Sequence, residues 1–305
     1  MKILITGGAG FIGGHVAAAL RQQSGGRHKI IIFDKKPQAR HTEASKTHTY
    51  IQGDIRDAEA VHEAAVGCNA IIHLAAAVSV EQLNKDPLLA ESVNVQGSAN
   101  VIAAAERSGA KLVAASSAAV YGLSPPTPTP EDAPLSPANP YGASKAAMEK
   151  LITSANIHSC ILRFFNVYGP GQNPKSRYAA VIPLFITQAL AGHPLTIQGS
   201  GQQSRDFIYV EDVVTAIRLA LSAKSKSIVN IGTGVATSIN ELAERIITIT
   251  KSESTTKHVP ARRGDPIRSV ASTQRAKTLL GFAAQTTITE GLRKTVASFR
   301  ANEDG

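Results

Sequence analysis

The 305-residue sequence predicts an α/β protein built on a doubly wound parallel sheet, and two observations lead to this fold class. In the first half, short apolar runs alternate with segments of helical spacing, the pattern of repeated strand–helix–strand units. Such units place parallel strands in one sheet through right-handed crossovers, so helices cover both faces. The second half is punctuated by proline and glycine, which predicts a smaller α/β domain beside the sheet.

The individual elements follow in chain order. Buried strands are predicted at 2–6, 29–33, 70–74 and 111–116, and helices at 11–22, 58–65 and 86–108. A proline-rich loop at 123–140 precedes a helix at 141–154 and a strand at 158–165. Later elements are a helix at 210–221, a strand at 228–231 and a last helix at 290–300. We therefore expect a main domain at 1–168, to which part of 204–234 returns, and a smaller domain at 169–305.

Composition limits the class of protein and of partner. Hydrophobic residues make up 43% and charged residues 18%, which excludes wholesale disorder and permits a sizeable core. No apolar run reaches the length of a membrane span, and two cysteines without a secretion signal indicate reduced thiols in a cytoplasmic protein. The net charge of +9 is scattered. We expect an anionic small molecule as the partner, with no nucleic acid, no membrane and no metal site.

Three glycines directly follow the first strand and open the first helix. Gly7, Gly10 and Gly13 let backbone N–H groups approach a pyrophosphate, and the helix N-terminus adds partial positive charge. The second strand ends at Asp34, about twenty residues further on, where a carboxylate accepts bonds from ribose hydroxyls and repels a 2′-phosphate. Lys35 follows it and weakens that repulsion. The pattern predicts a Rossmann-type dinucleotide site that favours NAD.

A tyrosine and a lysine four residues apart begin the helix predicted at 141–154. At this spacing Tyr141 and Lys145 share one helix face, and the ammonium is expected to lower the pKa of the phenol. Tyr141 then acts as a general base and its conjugate as a general acid. One unit earlier, Ser116 and Ser117 lie at the carboxyl end of a parallel strand, where open α/β sheets bind ligands.

These motifs resemble the extended short-chain dehydrogenases/reductases of the NAD-dependent epimerase/dehydratase family over nearly the whole chain. The resemblance implies that Ser117, four residues before Tyr121, is catalytic together with Tyr141 and Lys145. Gly53-Asp54-Ile55, His73-Leu74-Ala75-Ala76 and Asn94 resemble further cofactor segments. The implied NAD-binding residues are Gly7, Gly10, Phe11, Ile12, Gly13, Asp34, Lys35, Asp54, Ile55, Leu74, Ala75, Ala76, Asn94, Tyr141 and Lys145.

Segments of the second half resemble those of nucleotide-sugar enzymes. The run from Arg163 to Gly171 contains Asn166, and the run from Gly199 to Val210 contains Arg205. Guanidinium groups grip phosphate oxygens bidentately, which suits a sugar diphosphate. The implied substrate-binding residues are Ser79, Ser116, Ser117, Tyr141, Asn166, Val181, Ile197, Arg205, Arg262, Asp265 and Ser269, the last as a small gate that admits N-acetylhexosamines.

The resemblance leaves four reactions open: 4-epimerase, 4,6-dehydratase, decarboxylase and ketoreductase. Dehydratases of this family carry Asp-Glu after the catalytic serine and decarboxylases typically a Glu, whereas Ala118 and Ala119 stand here. The implied activity is therefore UDP-hexose 4-epimerisation, on UDP-Glc/UDP-Gal and on UDP-GlcNAc/UDP-GalNAc, with tightly bound NAD. A nucleotide-sugar 4-ketoreductase and a non-catalytic NAD-binding regulatory protein remain alternatives. The resemblance also implies a homodimer formed through the helix at 86–108 and the helix that follows Tyr141.

Overall fold

A computed structural model describes residues 1–23, 25–37, 48–173, 180–261 and 264–303. Its strands are β1 (Lys2–Thr6), β2 (Lys29–Asp34), β3 (Thr49–Gln52), β4 (Ala70–His73), β5 (Lys111–Ser117), β6 (Ser159–Phe164), β7 (Asn166–Tyr168), β8 (Leu195–Gln198), β9 (Ser204–Arg205), β10 (Phe207–Tyr209), β11 (Ser227–Ile231), β12 (Thr237–Ser238), β13 (Thr256–Val259) and β14 (Arg268–Ser269). The strands predicted from apolar runs agree with these to within one residue at each end.

The helices are α1 (Phe11–Gln23), α2 (Ala58–Ala65), α3 (Val80–Lys85), α4 (Pro87–Leu89), α5 (Gly97–Ser108), α6 (Pro140–Ser154), α7 (Val181–Leu190), α8 (Val210–Ser222), α9 (Ile239–Thr250), α10 (Gln274–Leu280) and α11 (Ile288–Glu303). A π-helical segment at Ala90–Gln96 joins α4 to α5, and a 3₁₀ turn at Ala118–Tyr121 follows β5. Within the described ranges, no helix is both long and apolar enough to cross a membrane.

Seven parallel strands form the main sheet in the order β11-β6-β5-β4-β1-β2-β3. This confirms the predicted fold class, and β11 returns to pair with β6 as the sequence indicated. The strand order reverses at β1, which lies between β2 and β4. The carboxyl ends of the strands on either side of such a reversal diverge and leave a crevice for ligands.

The sheet is buried on both faces because its side chains alternate between two apolar layers. Ile3 and Ile5 of β1 pack into one apolar layer with α1, α8 and α10, whereas Leu4 between them packs into the other layer with α2, α5 and α6. The two layers together form the core of the main sheet. All three side chains are fully buried. At about 2 kcal/mol for each such side chain, these two layers supply most of the energy that holds the strand ends in place.

A second core lies between α7, α9 and α11, with Phe185, Leu242 and Leu292 fully buried within it. Three small sheets surround it: β10 with β7, β13 with β8, and the three strands β12-β9-β14. Because β7 begins two residues after β6 ends, this region sits over the carboxyl ends of the main strands. It therefore forms the opposite wall of the crevice.

The helix predicted at 86–108 differs in its first half. Asp86 lies outside the helix as its N-cap and accepts a bond from Leu89 N at 3.2 Å. The following residues, Ala90–Gln96, form wide π-helical turns before the regular helix resumes at Gly97. A side chain at Gly97 would meet Ile55 at 2.7 Å, so a glycine is needed where this helix crosses the segment after β3.

Candidate active site

A cavity of about 920 Å³ lies at the carboxyl ends of the sheet strands, under the second core. It brings together segments that are distant in sequence. The predicted site residues on its wall are Gly7, Gly10, Phe11, Ile12, Gly13, Asp34, Lys35, Asp54, Ile55, Leu74, Ala75, Ala76, Ser79, Ser116, Ser117, Tyr141, Lys145, Asn166, Val181, Arg205 and Asp265.

The turn between β1 and α1 is packed so closely that it requires glycine. Gly7 has a φ of +72°, and a Cβ there would lie 2.7 Å from Ala75 N. A Cβ at Gly13 would lie 2.3 Å from Gly7 O. The first N–H groups of a helix have no partner within it, and Phe11, Ile12 and Gly13 of this turn line the cavity. This cradle fits a pyrophosphate.

The carboxylate of Asp34 lies at the end of β2, beside that turn. Its Oδ2 accepts a bond from Ala9 N and its Oδ1 one from Lys36 N, both at 3.0 Å. A carboxylate offers about four acceptor sites, so its remaining lone pairs are available to ribose hydroxyls. The side chains of Lys35 and Lys36 also line the cavity. This end of the cavity therefore fits the adenosine half of NAD.

Ser117 and Tyr141 meet across the cavity from the glycine turn. Ser117 is the last residue of β5, and Tyr141 lies in the first turn of α6, which Asn139 caps by accepting a bond from Gly142 N at 2.9 Å. The Ser117 hydroxyl oxygen accepts a bond from Ala119 N at 3.2 Å. Burial raises the pKa of Tyr141, and the nearby Ser117 hydroxyl lowers it in part. The pair is arranged for proton transfer to a ligand oxygen between them.

Lys145 is buried one turn further along α6, and its ammonium donates to Ala115 O at 2.9 Å. Burial lowers the pKa of Lys145 to about 8, and the nearby Glu149 raises it in part. The expected lowering of the Tyr141 pKa by Lys145 does not appear between these two side chains. The ammonium is bound instead to the Ala115 carbonyl of β5.

An arginine and an asparagine occupy the far end of the cavity. Arg205 Nη2 pairs with Asp265 Oδ2 at 3.0 Å, and Nη1 donates to Ser204 O at 2.8 Å. Asn166 donates from Nδ2 to Asp206 O at 3.1 Å. The guanidinium is nearly buried and held from two sides, so it presents a fixed positive charge to the cavity. A diphosphate is the ligand that such a charge favours.

Two predicted residues are held away from the cavity wall. Asn94, in the π-helical segment, accepts a bond from Ala77 N at 2.8 Å and donates to Ala77 O at 2.9 Å and Ser144 Oγ at 3.0 Å. It thus ties the loop after β4 to α6. Ile197 is 1% exposed and belongs to the second core, because strand side chains alternate. Its neighbours Thr196 and Gln198 line the cavity instead.

The two remaining predictions concern the segment around β14. Ser269 pairs in register with Arg205, so the two side chains share one face of the small sheet, although Ser269 is not part of the cavity wall. Arg262 lies outside the described residues.

Sequence reasoning also missed Asp206, which is fully buried and accepts bonds from Thr233 N, Gly234 N and Ala271 N. Its only signal was its position directly after Arg205.

Carboxylates on the described cavity wall are all engaged by a partner. Asp34 and Asp265 have the contacts given above. Of the other two carboxylates, Asp54 pairs with Arg56 at 2.7 Å and Glu81 pairs with Lys85 at 2.9 Å. Glu81 was not predicted from the sequence. Neither of the residues after Ser117, Ala118 and Ala119, carries a group that can move a proton. In the described ranges, no group of three or more His, Cys, Asp or Glu side chains is arranged to hold a metal ion.

Comparison with known proteins gives a family match over most of the chain. The model of the NAD dependent epimerase/dehydratase family matches residues 3–232. The chain is 35% identical to a UDP-glucose 4-epimerase of Mycolicibacterium smegmatis, over 98% of this chain and 99% of that protein. It is 32% identical to a UDP-N-acetyl-alpha-D-glucosaminuronate decarboxylase of Bacillus cytotoxicus, over 99% of this chain and 99% of that protein. It is 31% identical to a dTDP-glucose 4,6-dehydratase of Streptomyces niveus, over 99% of this chain and 94% of that protein.

Solved structures similar to this chain include epimerases for two kinds of sugar. The UDP-glucose 4-epimerase of Thermotoga maritima with UDP-glucose has a TM-score of 0.92 and 32% identity, covering 99% of this chain and all of that chain. The UDP-N-acetylglucosamine 4-epimerase of Methanobrevibacter ruminantium has a TM-score of 0.93 and 32% identity, covering 99% and 98%. The Thermus thermophilus UDP-glucose 4-epimerase in complex with NAD has a TM-score of 0.87 and 33% identity, covering 98% and 99%.

Proposed function

Because the chain belongs to the NAD-dependent epimerase/dehydratase family, with NAD as its cofactor, we propose that it interconverts the C4 epimers of a UDP-hexose. One observation carries the proposal. Ser117, Tyr141 and Lys145 line one cavity with Arg205, whereas the positions after Ser117 are alanines. The site thus has the groups for moving one proton at a sugar hydroxyl and for holding a diphosphate, without an added acid–base pair.

In the proposed reaction Tyr141 takes the proton of the sugar 4-hydroxyl, and the Ser117 hydroxyl bonds to the same oxygen. When bound, NAD supplies the acceptor and donor of hydride at C4. Arg205 anchors the diphosphate while the neutral 4-keto sugar rotates, because a charge-assisted contact outlasts the weaker contacts of the sugar ring. Tyr141 then returns the proton from the same position. Tyr141 thus begins and ends each cycle as the phenolate and carries the proton only while the sugar is oxidised, so no further proton donor is needed.

The engaged carboxylates favour this reaction over dehydration and decarboxylation. Loss of water from a sugar needs a general acid and a general base beside the reacting carbons. Asp34 and Asp54 lie at the adenosine end, Asp265 is paired with Arg205 and Glu81 with Lys85. Ala118 and Ala119 offer no replacement. The similar decarboxylase and dehydratase indicate that the family catalyses several reactions, and among these the two alanines favour epimerisation.

We further propose that N-acetylated hexosamines are accepted alongside plain hexoses. Support comes from the small side chain of Ser269, which shares a sheet face with Arg205. Further support is that one similar structure is a UDP-N-acetylglucosamine 4-epimerase and another holds UDP-glucose. A serine leaves more room beside the diphosphate than an aromatic side chain would.

The test is a panel of UDP-sugars incubated with the purified protein without added cofactor and resolved by HPLC. We expect UDP-Glc and UDP-Gal to interconvert, as well as UDP-GlcNAc and UDP-GalNAc, and denatured protein to release NAD. Turnover of UDP-Gal without any of UDP-GalNAc would refute the wider substrate range. A continuous requirement for NAD(P)H would replace the epimerase with a ketoreductase, and carbon dioxide release from a UDP-uronate would replace it with a decarboxylase.

We also keep three predictions from the sequence as proposals. The protein is a homodimer through the helical segment at 86–108 and the helix that follows Tyr141, which light scattering after gel filtration tests. It acts in the cytoplasm, which fractionation tests. Residues 1–168, with part of 204–234, bind NAD, and 169–305 mainly bind the nucleotide sugar, which mapping of ligand protection by hydrogen exchange tests.

A further inference from the structure

A buried ion pair lies behind the cavity wall. Arg163 of β6 donates from Nε and Nη2 to the two carboxylate oxygens of Glu149, at 2.9 and 2.7 Å. Both side chains are at most 4% exposed. Burying two charges costs several kcal/mol each, so such a pair adds little net stability compared with apolar side chains of the same volume. Its place behind the catalytic groups points to a role other than stability.

Glu149 is connected to the wall by a serine. Ser116 Oγ donates to Glu149 Oε1 at 2.5 Å. The hydroxyl proton of Ser116 is therefore directed away from the cavity, and only its oxygen lone pairs remain for a ligand. Ser116 precedes Ser117 on β5, so the same bond fixes the end of the strand that carries the Ser117 hydroxyl.

Glu149 also carries the negative charge that raises the pKa of Lys145. Tyr141, Lys145 and Glu149 follow one another at four-residue steps on α6, which aligns them on one helix face. The charged groups that act on Lys145 or are acted on by it are Glu149 of its own helix and His73 of β4. Tyr141 lies one turn before it on α6, and Arg163 of β6 and Ser116 of β5 are bound to Glu149. Among these described groups, Glu149 is the one anion.

The other neighbours do not help to keep Lys145 charged. His73 is neutral because burial lowers its pKa to about 3, and Arg163 is a second cation. Burial alone disfavours the ammonium, and Glu149 opposes that effect. If the carboxylate were neutral, none of these groups would offset the effect of burial on Lys145.

We propose that Glu149 is a positioning residue for catalysis, which Arg163 holds so that it keeps Lys145 protonated and orients Ser116 beside Ser117. The inference rests on the proposed function, because it concerns the same Ser117–Tyr141–Lys145 site. Glu149 does not touch the substrate in this arrangement; it acts through the two residues that do. Its role is therefore visible in the pH dependence of turnover rather than in substrate affinity.

The matched experiment compares Glu149→Gln with Glu131→Gln. Glu131 is also buried, bonds to Asn230 N at 2.9 Å and pairs with Arg275 at 3.6 Å, but its side chain does not contact Ser116 or Lys145. We expect Glu149→Gln to lower kcat at pH 8 at least tenfold, to leave KM within about threefold, and to move the alkaline limb of the profile down by half a pH unit or more. Glu131→Gln lowers stability and leaves the limb unchanged.

A double variant covers the case in which the single change prevents folding. Glu149→Gln with Arg163→Met removes both charges, and such replacements of buried pairs are often tolerated. The alkaline limb of this variant moves in the same direction. An unchanged limb in a folded variant, with activity lost equally at every pH, assigns the pair a purely structural role and overturns the inference.

A titration that needs no substrate separates this inference from the proposed function. The 13Cε resonance of Lys145, assigned with Lys145→Arg, reports its ionisation directly. We expect its midpoint to fall in Glu149→Gln and to stay in Glu131→Gln. If no UDP-sugar is converted while the midpoint falls, the proposed function fails alone. If UDP-sugars are converted while the midpoint is unchanged in Glu149→Gln, the positioning role fails alone.

Discussion

Two adjacent glycines of α1 provide a sharp test of the cofactor cradle. Replacing Gly13 by alanine puts a Cβ 2.3 Å from Gly7 O and 2.7 Å from Gly8 Cα, both of them backbone atoms that cannot rotate away. Gly14 is exposed in the same helix, and a Cβ there meets nothing within 4 Å. The two variants therefore share the same chemical change and the same helical setting, and they differ only in contact with the glycine turn.

The expected magnitudes follow from this difference. Alanine in a helix interior is favoured over glycine by about 1 kcal/mol, which both variants gain. Overpacking at Gly13 costs about 1–3 kcal/mol more, which corresponds to a difference in Tm of about 2–6 °C between the variants. A turn displaced by a few tenths of an ångström also weakens a charge-assisted contact to the pyrophosphate. Loss of one such contact costs about 1.5–3 kcal/mol, or roughly 10- to 100-fold in NAD affinity.

The assay measures the NAD content of purified protein and the melting temperature with and without added NAD. We expect Gly14→Ala to match the unchanged protein in NAD content and to melt at the same or a higher temperature. Gly13→Ala should lose most of its NAD and gain less stability from added NAD. Full NAD content in Gly13→Ala, with a melting temperature equal to that of Gly14→Ala, would refute the argument that this turn is too tight for a side chain.

Three further predictions concern single side chains. Tyr141→Phe should keep NAD binding and fold but lose about 10²–10⁴ in kcat, measured by HPLC of UDP-sugars, because the proton acceptor is gone; turnover within tenfold of the original contradicts its role as base. Arg205→Lys should raise KM for the UDP-sugar at least tenfold at unchanged NAD content, because one ammonium cannot grip a diphosphate bidentately; an unchanged KM places the diphosphate elsewhere. The pKa of His73 is lowered by burial to about 3, so the unfolded chain takes up a proton near pH 6.5 that the folded chain does not. Stability is thus lost as pH falls below 6.5, by about 2 kcal/mol at pH 5, and urea titrations of His73→Asn should show a shallower loss; equal slopes remove His73 as the cause.

The sheet and the cofactor cradle were predictable because their signals are local. The strands of the main sheet other than Thr49–Gln52 are largely buried on both faces, so they appear in the sequence as apolar runs, and the glycines at Gly7 and Gly13 follow the first run directly. Strand Thr49–Gln52 was missed because it is the edge strand of the sheet, its side chains are half-exposed or exposed, and it lacks such a run. The wide turn at Ala90–Gln96 was missed because its residues keep helical spacing.

Parts of the site were less predictable because they depend on contacts between distant segments. The bond from Ser116 to Glu149 and the pair of Glu149 with Arg163 join three elements, and no spacing in the sequence reveals them. Resemblance located Ile197 near the base-binding strand, but which face of that strand lines the cavity depends on the packing of the second core. The pKa of a side chain depends on its burial and on its orientation in the folded protein. The sequence therefore could not show that the Lys145 ammonium binds the Ala115 carbonyl.

The return of β11 to the sheet restricts how this chain can be divided. Helix α8 covers α1 with Val213 and Ile217 fully buried, and β11 then closes the edge beside β6. A fragment ending at residue 168 would expose that apolar layer and the unpaired edge of β6, which invites aggregation. The backbone therefore passes between the two cores several times rather than through one linker. Swapping the second half of the chain between homologues requires several coordinated crossover points, and evolution of new substrate specificity is expected to proceed by local substitutions instead.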